Sequence, residues 1–156
     1  MFLHALALAA ALALASCGRE TVRYATQDVP VDAGGAAALV SAYRASHGLG
    51  AVGVDGRLNQ IALRQARAIA AIGDLSHDIA GSFASRLSEF DADRSSAAEN
   101  LSAGPASLDA LIAQWKGSPE HNRNLLLAKA QRIGIARVDA PQSRYKRYWV
   151  LVLADR

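Results

Sequence analysis

The side chains best suited to chemistry lie in four separate segments of the sequence. Imidazole and carboxylate groups are common acid–base catalysts and common ligands of zinc-like ions, and these segments carry His77, Glu99 and His121. In chain order the segments are Leu75-Ser76-His77, Ala98-Glu99-Asn100-Leu101, residues 115–126 (WKGSPEHNRNLL) and Tyr148-Trp149. A serine nucleophile is not indicated, because Ser118 precedes Pro119 at a helix start and no Ser-His-Asp set has supporting context.

Each of these side chains also has a structural interpretation. His77 and His121 could hydrogen-bond neighbouring loops, Glu99 could accept bonds from backbone amides after a turn, and Asn100 could brace a loop. Trp115 and Trp149 have apolar neighbours, which favours core positions over ligand platforms. The residue types alone leave both interpretations open.

The composition indicates one exported domain. The chain has 156 residues, 51% of them hydrophobic, and a net charge of +3, which suits a single compact unit. Residues 2–16 contain no Lys, Arg, Asp or Glu. As a helix they would reach only about 22 Å, short of the roughly 30 Å hydrocarbon core. We therefore interpret residues 1–16 as a secretory signal peptide and not as a membrane span.

The single cysteine, Cys17, directly follows this apolar segment. Leu14-Ala15-Ser16-Cys17 resembles the lipobox of bacterial lipoproteins, in which the cysteine is acylated and becomes the mature N-terminus. The alternative is that Cys17 is a small hydrophobic residue within the signal. Lipidation predicts a membrane anchor, a polar tether over residues 17–34 and a folded unit over 35–156. Because Gly18 is not aspartate, we expect the outer membrane, facing the periplasm.

Export also limits the partners. Nucleic acid is not expected, because an exported protein rarely meets it and the chain lacks interleaved aromatic and basic residues. Arg144, Lys146 and Arg147 lie in one predicted hairpin, where they could contact anionic lipid headgroups or cell-wall polymers. We expect a monomer.

Apolar spacing and capping residues predict the elements that position these side chains. Helices are predicted over 35–47, 55–73, 82–90, 108–115 and 118–127, with Asp55 and Ser118 as N-caps and Gly73 ending the second helix. Residues 132–138 alternate as a strand does, and 148–153 are apolar throughout, as in a strand buried on both faces. The two strands would pair as an antiparallel hairpin. The prediction is an α+β fold.

Together, the four segments resemble the CAP superfamily, which unites cysteine-rich secretory, antigen 5 and pathogenesis-related proteins, in its bacterial lipoprotein branch. The resemblance extends upstream through Tyr43-Arg44, Gly48-Leu49, Asp55, Leu58 and Ala62, and it covers nearly all of residues 36–154. It implies a three-layer α-β-α sandwich with a small antiparallel sheet. It also implies a shallow cleft of histidines and glutamates, which some members use to hold a divalent cation.

On this resemblance, His77 and Glu99 match cleft positions, and His121 matches the histidine of the bacterial Ser-Pro-x-His-x-x-Asn-Leu-Leu motif. The implied metal ligands are His77, Glu99 and His121, with zinc as a suitable ion and Asn100 beside them. The sequence departs from the family pattern at two places. Residues 129–131 lack the histidine of the eukaryotic Gly-His-Phe motif, and Asn122 replaces the usual arginine. Three ligands and water would make an open site.

Three functions are compatible with this sequence. The first is a non-catalytic binding module whose cleft holds an ion or a polar group of a lipid or envelope ligand. The alternative is a metal-dependent hydrolase, peptidase-like or acting on the cell wall, with Glu99 as general base. A third is a structural or partner-binding protein whose cleft is vestigial.

Overall fold

The computed structural model describes residues 23–89 and 96–155. The predicted signal peptide, Cys17 and the tether as far as residue 22 lie outside the described residues. The described helices are α1 (Ala33–Ala45), α2 (Gly56–Ile72), α3 (Phe83–Glu89), α4 (Leu108–Lys116) and α5 (Pro119–Leu125). The described strands are β1 (Gln27–Val29), β2 (Gly53–Val54), β3 (Ala97–Ala103), β4 (Arg132–Ala140) and β5 (Lys146–Ala154). Within these residues, no helix is long and apolar enough to span a bilayer.

The strands form one sheet in the order β1-β4-β5-β3, with antiparallel pairing along this path, and β2 pairs with β4 in parallel. Strand β5 is apolar because it is buried on both faces. Val150 and Val152 belong to the core beneath α2. Leu151 and Leu153 belong to the core shared with α1 and α4. Helices thus cover both faces of the sheet, and the predicted three-layer α-β-α sandwich is confirmed.

Helix α2 forms as predicted. The Asp55 carboxylate accepts hydrogen bonds from the backbone amides of Arg57 and Leu58, which satisfies two donors at the helix start. Gly73 ends the helix with φ at 72°, a conformation that favours glycine. The predicted stripe is buried, as shown by its members Leu58, Ile61, Ala62, Gln65, Ala66 and Ile69.

The predicted tether is wrong over its described part, residues 23–34. Strand β1 pairs with β4, and the Tyr24 amide donates to the Ala71 carbonyl over 2.7 Å. Asp32 caps α1, which therefore begins two residues before the predicted start at 35. The folded unit includes these residues because backbone hydrogen bonds at the sheet edge and at the end of α2 hold them, and such bonds need no apolar pattern in the sequence.

Other boundaries also differ. Strands β2 and β3 were not predicted, since β2 has only two residues and β3 buries the polar residues Glu99, Asn100 and Ser102. Strands β4 and β5 extend beyond their predicted ends, which shortens the hairpin connection to residues 141–145. Ser118 occupies the N-cap of α5 without a capping hydrogen bond from its side chain. Pro119 at the first helical position loses no useful donor there.

Candidate functional site

A buried ion pair lies at the centre of the site. Strand β3 carries Glu99 and helix α3 carries Arg86, and their side chains are 2% and 0% exposed. Arg86 Nη1 donates to Glu99 Oε2 over 2.5 Å, and Nη2 donates to Oε1 over 3.0 Å. This bidentate geometry matches a planar guanidinium to a planar carboxylate. Both charges are thereby compensated within the protein.

The remaining donors of Arg86 hold the loop between α2 and α3. Nη2 also donates to the His77 carbonyl over 2.7 Å, and Nε donates to the Gly81 carbonyl over 3.2 Å. From the other side, the buried Gln65 of α2 donates to the Ser76 carbonyl and accepts from the Ala80 amide. The loop that carries His77 is therefore fixed from both flanking helices.

His77 is oriented by the same carboxylate. Its Nδ1 lies 2.8 Å from Glu99 Oε1. Because an ionised carboxylate only accepts hydrogen bonds, this contact assigns the proton to Nδ1 and leaves Nε2 for other partners. The side chain is 56% exposed. The hydrogen bond to Glu99 raises the pKa of His77, and partial burial opposes this rise.

Helix α5 brings His121 to the same edge of the sheet through two asparagines. Asn100 of β3 is fully buried, and its Nδ2 donates to the His121 carbonyl over 3.0 Å. Asn124 Nδ2 donates to Asn100 Oδ1 over 2.8 Å and to the Glu99 carbonyl over 3.2 Å. The side chain of Asn100 is thus used in docking α5 on β3.

His121 occupies a less polar environment than His77. Its ring lies 6.4 Å from that of Trp115, between centroids, and its Nδ1 is buried without a hydrogen-bond partner among the described residues. Burial lowers the pKa of His121; the Glu120 charge opposes this, and the nearby charge of His77 adds a smaller lowering effect. The ring is therefore neutral near pH 7.

The structure brings the predicted residues together in part. His77 and Glu99 are in direct contact, and His121 lies close enough to His77 for their charges to interact. The implied metal set does not fit this arrangement, because both Glu99 oxygens are already bonded to Arg86 and one is also bonded to His77. Across residues 23–89 and 96–155, no three His, Cys, Asp or Glu side chains are placed to hold a metal ion.

The same contacts argue against Glu99 as a general base. A base needs a free lone pair facing the substrate, and the Glu99 carboxylate is buried against a guanidinium. Nε2 of the half-exposed His77 ring can instead accept a proton from a substrate or water. If the site has a base, the geometry assigns that role to His77 with Glu99 orienting it, as a carboxylate orients histidine in catalytic triads.

Three further residues of this site were not predicted as such, namely Arg86, Gln65 and Asn124. A signal for Arg86 was present, because Phe83, Arg86 and Leu87 have the i, i+3, i+4 spacing of an apolar stripe. A charge at a stripe position is buried only if it is paired. Asn124 is the asparagine of the Ser-Pro-x-His-x-x-Asn-Leu-Leu motif, so the resemblance marked its position but not its hydrogen bonds to Asn100 and to the Glu99 carbonyl.

Two surface grooves lie outside this site. One, of about 310 Å³, is lined by residues that include Val29, Pro30 and Ile135. The other, of about 650 Å³, is bordered by Arg23, Arg64 and Arg67. Neither includes His77, Glu99 or His121. We place the candidate site at the histidines because hydrogen bonding and charge converge there, whereas volume alone assigns no chemistry.

Fold and site together define a domain of the CAP class. The model of the family described as CAP, the cysteine-rich secretory protein family, matches residues 37–153. The chain therefore belongs to this family. Comparison with curated proteins gave no significant match.

Three solved structures with the same fold come from bacteria. An outer surface protein from Borrelia burgdorferi aligns with a TM-score of 0.74 at 17% identity, over 85% of this chain and 99% of that one. An extracellular SCP-domain protein from Bacillus anthracis str. Ames gives 0.68 at 20% identity, over 79% and 40% of the two chains. A cysteine-rich secretory protein from Staphylococcus aureus subsp. aureus Mu50 gives 0.63 at 19%, over 81% and 40%. The chain spans about two fifths of the latter two proteins, and at these identities the likeness shows the fold alone.

Proposed function

We propose that this protein is an exported, membrane-anchored CAP-domain lipoprotein that binds a polar group of an envelope ligand without catalysis. The observation that carries the proposal is the exposed His77 ring, held in one orientation by the buried Glu99–Arg86 pair. Preorganised polar groups at an open surface favour recognition of a specific ligand. The site offers no activated nucleophile that would favour a covalent reaction.

Export and anchoring are supported by sequence and by analogy. The apolar residues 2–16 are followed by Cys17 in a lipobox-like context. Two similar structures belong to proteins described as extracellular and as an outer surface protein. In this proposal the acyl chains on Cys17 hold the domain at the outer membrane, facing the periplasm, as a monomer. Expression of Cys17→Ser beside wild type, followed by membrane fractionation and intact mass measurement, tests the anchor.

Ligand binding is tested with disaccharide-peptide fragments of peptidoglycan. The full-length chain in non-ionic detergent is titrated while the imidazole nitrogen resonances are followed by NMR. We expect saturable shifts of the His77 and His121 resonances. The affinity should be at least about tenfold weaker in His77→Gln or His121→Gln, because each variant loses one hydrogen bond to a charged or oriented partner. His47→Gln is the matched control. Equal binding by all three variants, or no saturable binding, would contradict the proposal.

Hydrolysis is a second candidate, favoured by the His77–Glu99 contact. In this version His77 takes a proton from water while Glu99 stabilises the imidazolium. Incubation with intact peptidoglycan, with product release followed by mass spectrometry, tests it. Products formed by wild type and lost in His77→Gln would favour hydrolysis. Unchanged peptidoglycan would exclude hydrolysis and leave non-catalytic binding as the proposed function.

A further inference from the structure

The unexpected feature of the site is that a guanidinium occupies the place a metal ion would need. Arg86 bonds both oxygens of Glu99 at 2.5 and 3.0 Å. Its other contacts, with the carbonyls of His77 and Gly81, come from the loop that carries His77. A metal ion on Glu99 would have to displace this fully buried cation or lie against it. Either arrangement is unfavourable because the metal ion and the guanidinium repel each other or the guanidinium loses its carboxylate. The repulsion is larger for a divalent ion than for a monovalent one.

We propose that Arg86 is the specificity-determining residue of the cleft, excluding divalent metal ions and leaving the two histidines to bind an uncharged amide or hydroxyl group. This inference rests on the proposed binding function and adds the class of ligand. Nε2 of the half-exposed His77 ring is available to a ligand, as a hydrogen-bond acceptor when the ring is neutral and as a donor when it is protonated. Nδ1 of His121 is a buried polar atom without a partner in the described chain.

The charges around the cleft favour an uncharged group. Arg86 and Glu99 compensate each other at its base, so no net negative charge remains there to offset the desolvation of a metal ion. Besides Glu99, the charges of Asp78 and Glu120 act on His77 and His121 respectively, and they disfavour an anion. An amide or hydroxyl carries no such penalty, and it can donate to a neutral imidazole nitrogen or accept from a protonated one. The amides and hydroxyls of a glycopeptide polymer have this chemistry.

The test is a calorimetric zinc titration of the full-length chain in detergent at neutral pH. We expect wild type to show no one-to-one binding that depends on Glu99. Arg86→Met frees the carboxylate while preserving most of the side-chain volume, and we expect its zinc affinity to rise about 100-fold or more. Adding Glu99→Gln to Arg86→Met should abolish this gain. Arg137→Met is the matched control, because Arg137 forms a bidentate pair with Asp139 away from the site.

A second measurement covers the case in which Arg86→Met does not fold. Imidazole NMR spectra of wild type, recorded with and without zinc, show directly whether the Nδ1 proton of His77 stays bonded to Glu99. Zinc binding in wild type that breaks this bond, or that weakens more than about tenfold in Glu99→Gln, would overturn the proposal. So would a folded Arg86→Met variant without gained affinity. The binding of peptidoglycan fragments is measured separately. Failure of the proposed metal exclusion by Arg86 is therefore distinguishable from failure of the proposed binding function.

Discussion

Replacing Glu99 with glutamine tests the centre of the site, because it removes one charge and changes almost nothing in shape. The Arg86 side chain would then be a cation with 0% exposure and no carboxylate partner. Removing one member of a buried pair costs about 3–5 kcal/mol. We expect the lower end of this range, about 3 kcal/mol, because the glutamine oxygen still accepts one bond and the carbonyls of His77 and Gly81 still receive Arg86.

The free energy of unfolding is measured by urea denaturation and by thermal melting, both followed by circular dichroism. A loss of 3 kcal/mol corresponds to a melting temperature lower by about 10 °C in a domain of this size. Asp139→Asn is the control, since this carboxylate also pairs bidentately with an arginine, at 2.7 Å for both contacts. The Arg137–Asp139 side chains are 17% and 23% exposed, so the expected loss is below about 1 kcal/mol. Equal losses in the two variants would refute the argument that burial makes the Glu99 pair critical.

Three further predictions follow from other contacts. The raised pKa of His77 means that its bond to Glu99 stabilises the fold fully below the ordinary imidazole pKa of 6.5 and loses this effect as pH rises through the raised value. Between pH 6.5 and 9, wild type should therefore lose more unfolding free energy than His77→Gln; parallel curves would contradict this. Arg44→Lys should cost about 2 kcal/mol in urea denaturation, because the buried guanidinium serves four backbone carbonyls, and an ammonium has only three donors. A loss below 0.5 kcal/mol would make those bonds dispensable. Gly134→Ala should cost about 3 kcal/mol or prevent folding, because its Cβ would lie 2.1 Å from the Leu58 backbone carbon; a melting temperature equal to that of wild type would show that α2 can shift.

Much of the architecture was predictable because each large element carries its own signal. The α2 stripe, the Asp55 cap and the apolar run of β5 are local patterns, and the structure has all three where they were expected. Strand β3 was not predictable in this way. Its burial depends on partners distant in sequence, since Glu99 is bonded to Arg86 and Asn100 to the backbone of α5. No local pattern records such partners.

The two buried arginines show how part of the missing information could have been obtained. Arg44 follows Val40 by four residues, and Arg86 follows Phe83 by three, so both occupy positions at which the helical pattern expects an apolar side chain. Both are fully buried. Burying a charge requires a compensating partner or a full set of hydrogen bonds, so each position implies such a partner elsewhere in the chain. Applied to Arg86, this requirement predicts either a buried carboxylate or a set of backbone carbonyls facing α3, and Arg44 meets it with carbonyls alone. Glu99 fulfils it, and a carboxylate committed in this way is unavailable as a metal ligand or a general base, which leaves the imidazoles of His77 and His121 as the groups through which this cleft can bind a ligand.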